Sequence, residues 1–209
     1  MKPPSPITRP ANTLSLCMIV KNEAANLERC LANARPHVEE IIVIDTGSTD
    51  GTQEIARRYA DVFEEIEWPD SFAAARNYSF EKATGTFLLI LDGDEYIEDP
   101  ASWHEIRNGI AQKNVASIQL HVYNVLPDSQ ILAADCHWQE RIVRNHPELR
   151  YEGSVHNQIQ PAIARFVKRT RQRMLRVPAK IVHLGYALPQ EARNKKYETR
   201  LHLLKREIE

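Results

Sequence analysis

The sequence of 209 residues predicts an α/β fold: a three-layer α/β/α sandwich with a mostly parallel central sheet. Three observations carry that prediction. Apolar runs too continuous for half-wet strands occur at Leu14-Ser15-Leu16-Cys17-Met18-Ile19-Val20, Ile41-Ile42-Val43-Ile44 and Phe87-Leu88-Leu89-Ile90-Leu91, as expected of strands covered on both faces. Segments of helical period separate them, giving the β-α-β alternation of right-handed crossovers. Each run also breaks into polar residues at its carboxyl end, the edge where open α/β sheets hold their ligands.

A chain of this length forms one domain, or one domain with a small appendage, and folding hides roughly 70% of its unfolded surface. With 27 basic and 28 acidic residues the net charge is −1, which leaves no nucleic-acid signature. Cys17, Cys30 and Cys136 are odd in number and widely spaced, the pattern of free thiols rather than of a disulfide framework or a zinc site. No apolar run has the length of a membrane span and none forms a signal core, so the expected location is cytoplasmic.

Residues 1–13 hold Pro3, Pro4, Pro6 and Pro10 without periodicity and read as a disordered lead-in. The first strand, 14–20, ends at the polar corner Lys21-Asn22-Glu23. Ala24, Leu27, Cys30, Leu31 and Ala34 then recur at helical spacing, and Pro36 marks the stop. The second strand, 40–44, breaks into Asp45-Thr46-Gly47-Ser48-Thr49-Asp50-Gly51-Thr52, where Ser48, Thr49 and Asp50 are all capable caps for a helix through Ile55, Ala56 and Tyr59. At the strand end the Asp45 carboxylate can meet a pyrimidine imide N–H or a ribose hydroxyl; it also suits an ordinary capped turn. Val62 to Ile66 gives a third strand, closed by Trp68-Pro69. A helix capped by Ser71 follows, with Gly85 expected as its left-handed cap. Arg76, little more than one turn into that helix, suits a phosphate or a base face, or a surface pair with Glu81 or Asp70.

The fourth strand delivers Asp92, Asp94 and Glu95 to the same edge. Carboxylates turned toward one point repel each other and call for a cation. Hard oxygen ligands suit Mg²⁺ or Mn²⁺, which such sites bind through one or two carboxylates plus substrate phosphates.

Four segments now match one pattern: the strand ending in KNE, the turn IDTGSTDGT, the helix SFAAARNYSFEKATG and the acidic LDGDE. Together they resemble family 2 glycosyltransferases of the GT-A (Rossmann-like) fold, closest to the small bacterial branch often fused to tetratricopeptide repeats. Each motif alone is weak and the set in order is specific. The resemblance covers about residues 14–187. It implies a hexosyltransferase-type enzyme with a nucleotide-sugar donor, a UDP-sugar favoured, and Mn²⁺ or Mg²⁺. It puts Asp45 at the nucleobase or ribose and Arg76 beside the nucleotide. Asp92 falls near ribose and metal, Asp94 becomes the principal metal ligand, and Lys21 and Glu23 fall on the substrate-binding edge.

In the second half, Trp103, Ile106 and Ile110 space a short amphipathic helix, and Val115 to Val125 alternates as a strand with one wet face. In the resembling family this half builds the acceptor side, and RIVRN…YEGSVHNQI resembles an arginine strand followed by an acceptor loop. Inverting transfer needs a base for the acceptor proton. Glu152 is the first candidate and Glu140 the second; the chain lacks the plain Glu-Asp pair of many relatives, and each candidate also suits a surface salt bridge. His156 follows the loop glycine as a substrate-binding candidate. His183, ending the strand 179–182 beside Gly185, fits a late metal ligand by resemblance; both histidines also suit purely structural roles.

Arg165, Lys168, Arg169, Arg171, Arg173 and Arg176 form a basic run. It reads either as a solvated mobile loop or as a flap over a diphosphate, with attraction for anionic acceptors or peripheral contact with membrane headgroups. Residues 188–209 read as a C-terminal amphipathic helix. The acceptor implied is a glycan, lipid-linked saccharide or protein. Two other functions stay open: a nucleotidyltransferase, although KNEAANLERC carries no glycine-rich pyrophosphate signature, and a nucleotide-sugar-binding module without turnover.

Overall fold

The computed structural model describes residues 12–125, 136–153 and 157–185. The expected lead-in up to residue 11, His156 and the expected helix over 188–209 lie outside these described residues. The apolar runs form β1 (Leu14–Val20), β2 (Glu40–Asp45) and β4 (Phe87–Ile90); with β3 (Val62–Glu65) they make a parallel set. α1 (Leu27–Ala34), α2 (Thr52–Tyr59) and α3 (Phe72–Lys82) make the crossovers. α1 buries Leu27, Cys30, Leu31 and Ala34, the stripe its spacing predicts. α4 (Pro100–Ala111), capped by the Asp99 carboxylate accepting from Ser102 N, buries Trp103, Ile106 and Ile110.

The remaining elements are β5 (Glu95–Ile97), β6 (Val115–Asn124), β7 (His137–Arg144), α5 (Gln160–Thr170) and β8 (Arg173–His183). All eight strands join one mixed sheet in the order β3-β2-β1-β4-β7-β6-β8-β5. Four pairings are parallel and three, β4–β7, β6–β7 and β5–β8, are antiparallel. Apolar layers cover both faces. One gathers side chains of α1 and α4, the other of α3 and α5.

The sheet order forces a curl. β4 and β5 stand four places apart, which in a flat sheet is about 19 Å. Yet only Leu91 to Asp94 connect them, and Glu95 N donates to Asp92 O at 3.0 Å, closing a turn. A connection of this kind reaches only about 14 Å. The second half of the sheet therefore bends round until β5 meets α1, where Asn33 Nδ2 donates to Ile97 O at 3.0 Å. The curl turns the acidic corner into the wall of a cleft.

Four expectations are corrected. The N-cap of α2 is Gly51, at φ 94°, and not one of the three polar candidates; Asp50 instead accepts from Thr52 N at 3.1 Å. Gly85 is not a left-handed cap, since α3 ends at Ala83 in extended backbone. Its role is close approach: a Cβ there would collide with Ser15 Oγ and come 3.0 Å from Ser15 N. β6 is not wet along one whole face, because Val115 to Ile118 are buried on both sides. The basic run is neither loop nor flap. Arg165, Lys168 and Arg169 belong to α5, Arg173 and Arg176 to β8, and Arg171 makes the αL corner between them. Their charges are partly spoken for, Arg165 by Glu152 and Arg169 by Glu148. Among the described residues no helix is long and apolar enough to cross a membrane.

Candidate active site

The site grows from the carboxyl ends of β1, β2 and β4. β1 and β2 end in register, Val20 opposite Asp45. Beyond them the polar corner and the β2–α2 turn lock together: Asn22 N donates to Ser48 Oγ (2.9 Å), Thr49 N to Asn22 Oδ1 (2.8 Å) and Glu23 N to Thr52 Oγ1 (2.8 Å). Asp45 is fully buried. Its Oδ1 accepts from Gly47 N at 2.9 Å, Ser48 N at 2.8 Å and Gln53 Nε2 at 3.2 Å, whereas its Oδ2 has no hydrogen-bond partner. A carboxylate oxygen left this way is costly unless a ligand completes it. Asp45 lines a cavity of about 430 Å³ with Lys21, Thr46, Gly47 and, unforeseen from sequence, Trp68. Glu23 sits further in, under Gly93, where a Cβ would come within 2.9 Å of its side chain.

The acidic turn starts a second cavity of about 410 Å³, lined by Arg76, Asp92, Glu140, Arg141 and Tyr151 among others. Arg76 is no surface arginine: its side chain is 14% exposed and its Nη2 donates to Asp92 Oδ1 at 2.6 Å. Burial works against the Asp92 carboxylate, but the Arg76 and Arg141 charges outweigh it and hold its pKa well below the usual range. Arg141 enters from β7 at a bulge, where Ile118 pairs with Ile142 and Gln119 with Glu140. Its Nη2 donates to Glu95 Oε1 at 2.6 Å, and Glu95 Oε2 accepts from Asp92 N at 2.9 Å. Glu95 therefore points inward and braces the turn. The Tyr151 backbone is clamped to Asn77 by bonds of 2.8 and 3.0 Å, and its ring lies 5.6 Å from the Arg76 guanidinium.

The two base candidates part company. Glu140 is buried, and burial raises its pKa despite Ser117, Gln119 and Arg176 nearby. Its Oε1 accepts from Gln119 Nε2 at 3.0 Å, and its Oε2 has no hydrogen-bond partner among the described residues. Glu152 sits about half exposed in its pair with Arg165. Of the seven buried side-chain atoms without a partner among the described residues, five belong to Asp45, Arg76, Glu140 and Arg141. Such a concentration on residues that line the two cavities is what a ligand site calls for.

Asp94 and His183 meet behind the turn. β5 and β8 pair Glu95 with His183, and Leu184 N donates to Asp94 O at 2.9 Å. His183 Nδ1 pairs with Asn124 Oδ1 at 2.7 Å, which turns Nε2 to within 3.6 Å of Asp94 Oδ2. Burial disfavours a charged imidazole there, and Asp94 outweighs it, so the His183 pKa is raised. Gly185 leaves the corner open: a Cβ would stand 2.5 Å from His183 Nε2 and 2.9 Å from Asp94 Oδ2. A carboxylate and an imidazole facing one small space fit a divalent ion that takes its other ligands from a substrate or water. Among the described residues no three such side chains form a complete cage.

Arg141, Tyr151, Trp68 and Asn124 were not singled out as site residues from sequence, and Glu95, expected at the edge with Asp92 and Asp94, instead pairs inward with Arg141. Arg141 had the one available signal, a charge between Glu140 and the apolar Ile142-Val143 in a strand otherwise reading as buried.

A parallel β-α-β half bearing an acidic turn, closed by a mixed half that curls across the strand ends, is the GT-A architecture of glycosyltransferases. Solved structures share it. A mannosyltransferase from Pyrobaculum calidifontis, in complex with GDP-Man and Mn²⁺, aligns with a TM-score of 0.63 at 19% identity, over 86% of this chain and 58% of its own. Glucosyl-3-phosphoglycerate synthase from Mycobacterium tuberculosis, in complex with Mn²⁺, UDP and phosphoglyceric acid, gives 0.64 at 16% identity, over 93% and 78%. The sequence matches the model of glycosyl transferase family 2 over residues 15–168, and the chain belongs to that family. A TPR repeat-containing protein of Synechococcus elongatus is 35% identical over 72% of this chain and 36% of its own length. Glycosyltransferase AglE of Haloferax volcanii is 36% identical over 39% of this chain and 30% of its own. The chain thus spans about a third of the length of these curated relatives.

Proposed function

We propose that the domain transfers a sugar from a nucleotide diphosphate-sugar, a UDP-sugar foremost, to a glycan, lipid-linked or protein acceptor, inverting the anomeric centre. The observation that carries this reading is the cluster of partnerless buried polar atoms on Asp45, Arg76, Glu140 and Arg141 around two cavities at one sheet edge. Asp45 Oδ2 accepts from the base imide or a ribose hydroxyl, with Lys21 and Trp68 bordering the nucleotide. Asp94 and His183 would hold Mn²⁺ or Mg²⁺, which supplies charge stabilisation to the departing diphosphate. Arg76 fixes Asp92 beside it. The donor sugar occupies the second cavity.

Glu140 is the base: it takes the proton of the acceptor hydroxyl as that oxygen bonds to the anomeric carbon and the bond to the diphosphate breaks on the opposite side. Its raised pKa brings it nearer the working pH of a general base. Glu152, tied to Arg165, serves the loop that borders the acceptor. The matched relatives and the metal- and nucleotide-bound neighbours support the reading.

Calorimetry with UDP, with and without Mn²⁺, tests it on the wild type and Asp94→Ala. The wild type should bind more tightly with Mn²⁺, and Asp94→Ala should lose that gain. Equal, metal-independent binding by both would remove the metal role. A donor-hydrolysis assay across UDP-, GDP- and dTDP-sugars separates a transferase from a binding module, which would release no sugar.

A further inference from the structure

The face of β6 that turns away from Ile118, Leu120 and Val122 presents Gln119, His121 and Tyr123. Its neighbours in register are Glu140 and Trp138 on β7 and Arg176 and Lys180 on β8. Three rings assemble there. His121 stacks on Trp138 with centroids 4.8 Å apart and planes 17° from parallel. Tyr123 meets His121 edge-on at 4.7 Å, and its hydroxyl is 2.8 Å from His121 Nδ1. Trp138 is 37% exposed, so its ring can meet a ligand.

Cations frame the rings. The Arg176 guanidinium lies 5.7 Å from the Trp138 centroid, and Lys180 Nζ lies 5.8 Å from that of Tyr123. Lys180 is neutralised by Glu98 at 3.2 Å. Arg176 has no ion pair among the described residues; its Nε donates to Gln119 Oε1 at 2.7 Å. The shelf and the second cavity share a strand, β7. Glu140, in the cavity wall, stands two residues from Trp138 on the same strand face, about 7 Å away and hence on the scale of one sugar residue.

We propose that Trp138, His121 and Tyr123 form an acceptor shelf for a uronate-bearing glycan. One pyranose ring lies on Trp138 with its carboxylate on Arg176, and the next ring presents its hydroxyl to Glu140. The proposal rests on the reading of that cavity as the transfer site. Aromatic faces alternating with hydrogen-bonding groups suit a ring with apolar faces and a hydroxyl rim. A purely apolar partner would bury the Arg176 charge, which has no ion pair among the described residues. Such a guanidinium matches one planar carboxylate by its two-pronged geometry, where a doubly charged phosphate would call for a second cation.

The test displays neutral, uronate-containing and phosphorylated oligosaccharides on an array, followed by fluorescence titration with an oligogalacturonate and an oligoglucuronate. The full chain should retain uronate glycans above the others. Trp138→Ala should weaken binding about tenfold or more, Trp138→Phe should keep most of it, and Arg176→Gln should erase the preference for uronates. Thermal melting checks that each variant folds, and Arg176→Gln decides the matter if Trp138→Ala does not. No glycan retained by the wild type, equal retention of neutral glycans, a phosphorylated preference, or capture only by acidic lipid vesicles overturns the shelf. UDP binding by the wild type is measured alongside. Nucleotide without glycan sinks the shelf alone, and glycan without nucleotide sinks the donor reading alone.

Discussion

Glu140, the base in the proposed transfer, is a buried carboxyl whose environment departs from solution. A carboxyl buried against β6 prefers its neutral form, and its neighbours Ser117, Gln119 and Arg176 only partly offset that preference. The native state therefore holds the Glu140 proton to higher pH than the unfolded chain does, so this group lowers stability as pH rises from the ordinary carboxylate range through its raised value. Glu140→Gln should accordingly melt higher than the wild type at neutral and alkaline pH, with the difference vanishing in acid. The same substitution should cut transfer by about 10²- to 10⁴-fold. In the wild type the acidic limb of the rate profile should lie above the normal carboxylate pKa, because the base must be ionised to work. A Glu140→Gln protein with wild-type turnover would take the base role away from this residue. The sequence places Glu140 second to Glu152, because the burial that separates the two is a tertiary property. The positions of Asp45, at the end of β2, and Asp92, just past the end of β4, were legible because apolar runs and their polar breaks are written in the sequence.

Elements carry the next level of constraint. β7 meets the acidic turn through a buried pair, with Arg141 8% and Glu95 2% exposed. Arg141→Met should cost about 3–5 kcal/mol, since it strands the Glu95 carboxylate in the interior. The double replacement Arg141→Met, Glu95→Leu should recover much of that stability in denaturant titration while nucleotide binding stays impaired, because Asp92 N loses its acceptor. Equal binding by the double variant and the wild type would show that the brace is dispensable. Between α3 and β4, Gly85→Ala should destabilise by about 1–3 kcal/mol through overpacking against the β1 backbone. An unchanged denaturation midpoint would contradict that contact. The parallel half was readable because buried strands and crossover helices leave period and punctuation in the sequence. The basic run was not, because six cations obscured the fact that Ile163 and Phe166 anchor a helix on one side of Arg171 and Val177 and Ala179 a strand on the other.

At the scale of the molecule, β8 closes the sheet. It pairs parallel with β6 and antiparallel with β5, and it carries His183 to Asp94. A chain cut after residue 172 should lose its cooperative melting transition and bind a hydrophobic dye, because it uncovers β6 and leaves β5 without its neighbour. A sharp melt in that shortened chain would mean that the parallel half folds alone. The two free thiols of the core, Cys17 and Cys30, have pKa values raised by burial, so they report such unfolding by becoming reactive. The curl that brings β5 back beside β4 also has a temporal side. Asp94 leaves the ribosome about ninety residues before His183 does. A half-translated domain thus carries its acidic corner without the imidazole that faces it. Order of synthesis alone delays assembly of the corner until nearly the whole sheet has been laid down.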